Sequence, residues 1–217
     1  MTGTVLEKER LNSFQFEDES LLFVRVARIN HSCRSNACQA FEDGRMIISS
    51  LTDIEPGEEI CIYYTNLNGK DCCLDEHDVR HVLLEKWGIR CSDDCACRDD
   101  LYLKKLKECR SLDAEIADML ASGVAPESMK PVETLISTLL ELRATWGWVE
   151  QAYWNGFNLA RMSASFTRDA SRYGLAAMRA RQLILNPDSQ QMLEMKVTIA
   201  ETEMGCPSEV KHAAQSA

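Results

Sequence analysis

Three thiols fall within seven residues of this chain, Cys91, Cys95 and Cys97, in the spacing Cys-x3-Cys-x-Cys. Thiolates crowded this closely in a chain without a secretory leader are more often zinc ligands than disulfide partners, and structural zinc takes four ligands in a tetrahedron. The knot supplies three of them. Cys33, well upstream in the run Asn30-His31-Ser32-Cys33, is the candidate for the fourth. Cys72-Cys73 is a vicinal pair in a loop and is left out, because neighbouring cysteines rarely bind one metal. His77 and His81 stand one helical turn apart, but without an HExxH pattern or a third ligand they read as a polar helix face. Asn30 and His31 offer fixed donors and acceptors, although an isolated Asn-His pair is usually an ordinary turn. Gly57-Glu58-Glu59 follows Pro56, and two glutamates after a Pro-Gly turn most often face solvent, so their role here is structural. Tyr64 closes the series with a phenol at the end of an apolar run.

The elements that must hold these residues change character along the chain. Residues 1–20 are polar and carry no strong period, and residues 21–29 read as a short strand or turn leading into Asn30. Residues 40–44 (FEDG at the end) mark a strand and its turn, and residues 45–51 the returning strand of a hairpin. Residues 53–57 are a turn by their Pro-Gly pair. Residues 59–64 alternate and are rich in Ile and Tyr, which predicts a strand in which Tyr63 and Tyr64 face opposite ways. From residue 74 the period becomes helical, with one helix running up to Gly88, where a stop is expected. A second helix is predicted over residues 98–122, broken by the Gly-Val-Ala-Pro run at 123–126. Further helices follow over about 131–146, 149–163 and 167–185, and another from Asp188 after Pro187. The stretch AYWNGFNLARMSASFTRDASRYGLAAMRA is similar to a tetratricopeptide (TPR) hairpin, without a countable 34-residue repeat.

The chain has 217 residues, enough for one domain with an appendage or two small ones. Its net charge of −10 disfavours direct nucleic-acid binding, which leans on clustered Lys and Arg, and suits a basic protein substrate. The start MTGTVLEKERLNSF has no apolar h-region, and no stretch approaches the roughly 20 apolar residues of a membrane span. Ten cysteines in such a chain imply a reducing compartment, nucleus or cytoplasm, with four on zinc and the rest free.

The segments RINHSCRSNA (residues 28–37), IEPGEEICIYY (54–64) and EKWGIRCSDDCAC (85–97), in this order, resemble the SET-domain protein-lysine methyltransferases. The NSF run at residues 12–14 and the helical tail look like the SMYD and fungal SET subgroup. The resemblance covers residues 10–100 well and the tail loosely. It implies that Asn30 and His31 line an S-adenosylmethionine pocket, Asn30 at the methionine end and His31 at the adenine side. It implies that Tyr64 is the catalytic tyrosine and that Cys33 joins Cys91, Cys95 and Cys97 on one zinc. The family's usual post-SET spacing is Cys-x-Cys-x2-Cys, so Asp100 replaces a thiol if Cys95 and Cys97 take its first two places. The family also places an aromatic residue two positions before the first of these cysteines, against the cofactor. Ile89 holds that position here, and Trp87 is the nearby aromatic alternative.

Two departures shape the expectation. Ser35 stands where the family has proline in NHSC-x-P-N, and the G-x-G segment of the family's N-terminal half has no counterpart, Gly3 being the only glycine before Gly44. The expected fold is α+β: a β-rich C-terminal part of a SET domain (residues 1–70), a post-SET zinc segment (71–100) and an α-helical TPR-like region (101–217). The expected function is methyl transfer from S-adenosylmethionine to a lysine in a basic segment of a histone or other protein. The alternative is a catalytically inactive SET-derived zinc module that serves as a scaffold, with a protein partner on its helical tail.

Overall fold

The run Glu55-Pro56-Gly57-Glu58 closes with Glu58 N–H donating to the Glu55 carbonyl at 2.9 Å, and Gly57 takes φ of +90°. Proline at the second position and a positive-φ glycine at the third are the chemistry of a type II turn. This turn lies between the two chemically informative segments of the β-rich region. The computed structural model describes residues 12–16, 19–42, 44–64, 88–91, 93, 95–183 and 188–203. Trp87, Cys72, Cys73, His77, His81 and the helix expected over 74–87 lie outside them.

Among the described residues, six short strands pair two by two. Strands β1 (Phe14–Phe16) and β2 (Glu19–Leu21) form an antiparallel hairpin, and β4 (Ala37–Glu42) pairs antiparallel with β5 (Arg45–Ser50). The second hairpin is the one its turn residues predict. The first is not evident in the sequence, because strands of three residues are too short to show a period. Strand β3 (Asn30–His31) pairs parallel with β6 (Cys61–Ile62), with Asn30 opposite Cys61 and His31 opposite Ile62. The strand expected over 59–64 is thus confined to two residues, its ends being held by side chains rather than by a ladder. Around it, buried Val26, Ala37 and Ile62 form a small core with Phe14, Phe23, Ile29, Met46, Ile48 and Tyr64 packed against them.

Five helices follow: α1 (Asp100–Ser122), α2 (Lys130–Glu141), α3 (Trp146–Ala160), α4 (Thr167–Gln182) and α5 (Gln190–Glu203). The Asp99 carboxylate caps α1 by accepting from the N–H groups of Leu101 and Tyr102, and Gly123 ends it with φ of +66°. Consecutive helices pack on one another, and α3 against α4 is the most extensive pair. Their shared core includes fully buried Leu135, Leu139, Trp148, Phe157 and Leu159. Inside it Arg181 of α4 meets the buried carboxylate of Glu150 on α3 at 3.1 Å. The chain is therefore α+β, a small β region followed by a helical one. Among the described residues no helix is long and apolar enough to cross a membrane, and none of the described cysteines forms a disulfide with another.

Candidate active site and thiol centre

Asn36 shows how the sequence builds the site from the turn upward. Its amide nitrogen donates to Glu58 Oε1 and to the Glu59 carbonyl, both at 2.9 Å, and its amide oxygen accepts from Cys61 N–H at 2.9 Å. A buried asparagine with all three bonds made acts as a staple across the turn. The Glu58 carboxylate also accepts from Glu55 N–H at 3.1 Å. Donation from Asn36, then from the Glu55 backbone, draws the Glu58 carboxyl below its usual range. Glu59 in turn accepts from the Asn30 amide at 2.6 Å. The two glutamates after the Pro-Gly turn therefore position Asn30 and Asn36. The sequence reading gave the glutamates a structural role but missed Asn36; its place three residues beyond Cys33 was the available signal.

The parallel pairing of β3 with β6 brings the Asn30-His31 segment beside the tyrosines. Tyr63 and Tyr64, just past β6, point to different cores. Tyr63 is buried in the helical cluster, and Tyr64 packs on the β-side cluster. The His31 ring contacts both, with centroids 5.1 Å from Tyr63 and 5.4 Å from Tyr64. Tyr64 N–H donates to His31 Nδ1 at 3.2 Å. The Tyr64 hydroxyl donates to the Ile29 carbonyl at 2.5 Å. Burial, with the nearby Cys61 second, pushes that phenol up, so it stays protonated at neutral pH. Asn30 is exposed, its amide nitrogen turned to Glu59.

Cys33, Cys91, Cys95 and Cys97 come together, their sulfurs all within 4.8 Å of one another. Cys33 and Cys91 are 3.5 Å apart. Zinc–sulfur bonds of about 2.3 Å in a tetrahedron place sulfurs roughly 3.8 Å apart. The four soft donors and their spacing fit zinc. Asp100 stands apart from this group, in the first turn of α1. Cys97 lies in a 3-10 turn at Ala96–Arg98 that leads directly into α1. Ile89 packs against the thiols.

Without a metal, crowding opposes ionisation. Burial and then charge at Cys95 and Cys97 push Cys33 up, and burial and hydrogen bonds with Cys95 and Cys91 push Cys97 up to about 12. Burial also acts to raise Cys95, but hydrogen bonds from the Cys97 backbone and from the neighbouring thiols outweigh it and bring Cys95 down. A divalent cation reverses this balance, because coordinating thiols deprotonate.

The helical region reaches into the site. Tyr102, in the first turns of α1, donates its hydroxyl to the Cys33 carbonyl at 3.2 Å. Trp146 Nε1 donates to the Ser50 carbonyl at 2.7 Å and Arg34 of the β region to the Glu141 carbonyl at 3.4 Å, while within the β region Gln39 donates to the Tyr63 carbonyl at 2.8 Å. Sequence reasoning missed Tyr102, since as one of many residues on an amphipathic helix it gives no local signal.

The sequence model of the SET domain matches residues 6–65. The chain is 40% identical over 76 residues to the protein-lysine N-trimethyltransferase SMYD5 of Mus musculus, covering 33% of this chain and 17% of that protein. It is 39% identical over 88 residues to a SET and MYND domain-containing protein of Dictyostelium discoideum, covering 40% of this chain and 24% of the relative. With the histone-lysine N-methyltransferase SMYD3 of Homo sapiens it shares 27% identity over 127 residues, 58% of this chain and 25% of the relative. The chain thus spans about a quarter or less of the length of these relatives. Residues 6–65, which hold the Asn-His segment, the Pro-Gly turn and Tyr64, are SET-domain sequence of the kind found in SMYD-family protein-lysine methyltransferases.

Proposed function

We propose that the β region takes part in methyl transfer from S-adenosylmethionine to a lysine side chain of a protein substrate. The observation that carries this reading is the parallel pairing of Asn30-His31 with Cys61-Ile62, which sets the Asn30-His31 segment beside a half-buried, protonated phenol. The fit is chemical. Asn30, held by Glu59, is an exposed amide in a fixed orientation, suited to the amino-acid end of the cofactor. S-adenosylmethionine, when bound, supplies an electrophilic sulfonium methyl. A free lysine amine has a pKa of about 10.4, and an apolar channel lowers it so that the neutral amine can attack. Tyr64 already donates its proton to the Ile29 carbonyl, so its oxygen is left to accept from the incoming amine and orient it. The four thiols, holding zinc, fix the segment that follows His31 and take no chemical step. The acidic chain, at −10, favours a basic segment around the target lysine.

The test is titration calorimetry of S-adenosylmethionine against the zinc-loaded full chain. Binding is expected, and is expected to be lost in Asn30→Ala. Tyr64→Phe should bind the cofactor as well as the parent and lose about 100-fold in transfer to a protein substrate. A folded, zinc-loaded chain that binds no cofactor would overturn the enzymatic reading and favour a SET-derived zinc module. In that module the helical region would carry the partner.

A further inference from the structure

The His31 imidazole uses both of its nitrogens. Nδ1 accepts from Tyr64 N–H at 3.2 Å, so in the neutral ring the proton sits on Nε2. Nε2 lies 3.3 Å from Cys33 Sγ, within reach of an N–H···S hydrogen bond. The two tyrosine rings on either side leave the imidazole little freedom to turn. His31 is not a member of the group of ligand atoms that lie within 4.8 Å of one another; those are the four sulfurs.

We propose that His31 is a positioning residue of the thiol centre, donating from Nε2 to the Cys33 sulfur and thereby tying a zinc ligand to the segment that carries Tyr64, just past β6. Metal ligands generally have such outer partners, which orient them and are worth 10–100-fold in metal affinity. The usual case is a histidine ligand held by a carboxylate or carbonyl. Here the ligand is a thiolate and the histidine is the outer partner, with its tautomer set by the Tyr64 backbone N–H. Displacement of Cys33 would therefore be felt at Tyr64 through one rigid ring. Both ring nitrogens are engaged, so an adenine edge would have to be met by other groups of the segment. The inference rests on the zinc reading of the thiols and is independent of methyl transfer.

The test loads the full chain with cadmium-113 in place of zinc. Its chemical shift reports the ligand set, and long-range nitrogen–proton correlation reports the His31 tautomer. The expected result is a four-sulfur site, His31 protonated at Nε2 alone, and a scalar coupling between the metal and that proton through Cys33. A four-sulfur site with His31 protonated at Nδ1, or without the coupling, overturns the proposal. So does a shift showing three sulfurs and a nitrogen, which would make His31 a ligand. Failure to bind cadmium or zinc sinks the zinc reading itself and is distinguishable from these. In parallel, His31→Leu should release zinc to a chelator about 10–100-fold faster. His31→Gln, which keeps an acceptor and a donor, should recover part of the loss. Equal release rates for parent, Leu and Gln chains would also overturn the proposal.

Discussion

Asn36 and Glu58 carry more of the site's geometry than the residues that would touch a substrate. The Pro-Gly turn supplies the bend, but the Asn36 amide holds the two flanking segments together across it. A pH dependence follows. The folded state holds the Glu58 carboxyl below its ordinary value of 4.5. Its contribution to stability is therefore present above that value and lost as pH falls through the lower, folded one. Glu58→Gln should flatten this part of the acid unfolding curve, seen as unfolding midpoints measured at a series of pH values. A variant as sensitive as the parent below pH 4.5 would show that another carboxyl is responsible. The glutamate pair and its turn are visible in the sequence. The asparagine partner is not, because hydrogen bonds between residues 22 positions apart leave no local pattern.

At the scale of elements, two glycines decide how closely the helices approach. A Cβ at Gly156 of α3 would lie 2.7 Å from Val132 Cγ1 and 3.2 Å from Tyr173 Cγ, so α2 and α4 both crowd that face. Gly174 of α4 is as tight, 2.9 Å from Ile199 Cγ1 and 3.0 Å from Phe157 Cδ2. Alanine gains about 1 kcal/mol of helix propensity over glycine, whereas overpacking costs about 1–3 kcal/mol. Gly156→Ala is expected to destabilise the chain by about 1 kcal/mol net, measured by urea unfolding; a more stable variant would mean that the helices part easily. These helices were legible from their hydrophobic period and their breakers, with ends displaced by a few residues. Their close approach was not, since a glycine inside a helical pattern reads only as a weak position.

For the whole molecule, the two regions differ in what sustains them. The helical region has an extensive core, whereas the described residues of the β region form two-stranded sheets around a small cluster of Val26, Ala37 and Ile62. Two-stranded hairpins are marginal in isolation. The thiol centre and the bonds Tyr102–Cys33, Trp146–Ser50 and Arg34–Glu141 therefore bear much of the task of holding the β region in place. Removal of the metal with a chelator should leave the helical circular dichroism and the buried Trp148 largely unchanged. Amide exchange over residues 30–64 should accelerate at the same time. Loss of helix in step with the metal would show one cooperative unit instead.

The sequence by itself determined the order of parts: thiol knot, Pro-Gly turn, second hairpin and helical periods are each written within a dozen or so neighbouring residues, where turn chemistry and side-chain period act. It also carried the family resemblance through short motifs. Only the tertiary structure decided that Asn30-His31 lies parallel to Cys61-Ile62 and that Cys33 meets Cys91, Cys95 and Cys97, with Asp100 outside that group. It alone shows that His31 faces both Tyr64 and Cys33, and that α1 reaches back to the Cys33 carbonyl. Those choices rest on contacts between segments far apart in the chain, whose energy depends on how the whole surface closes and not on any local run of residues.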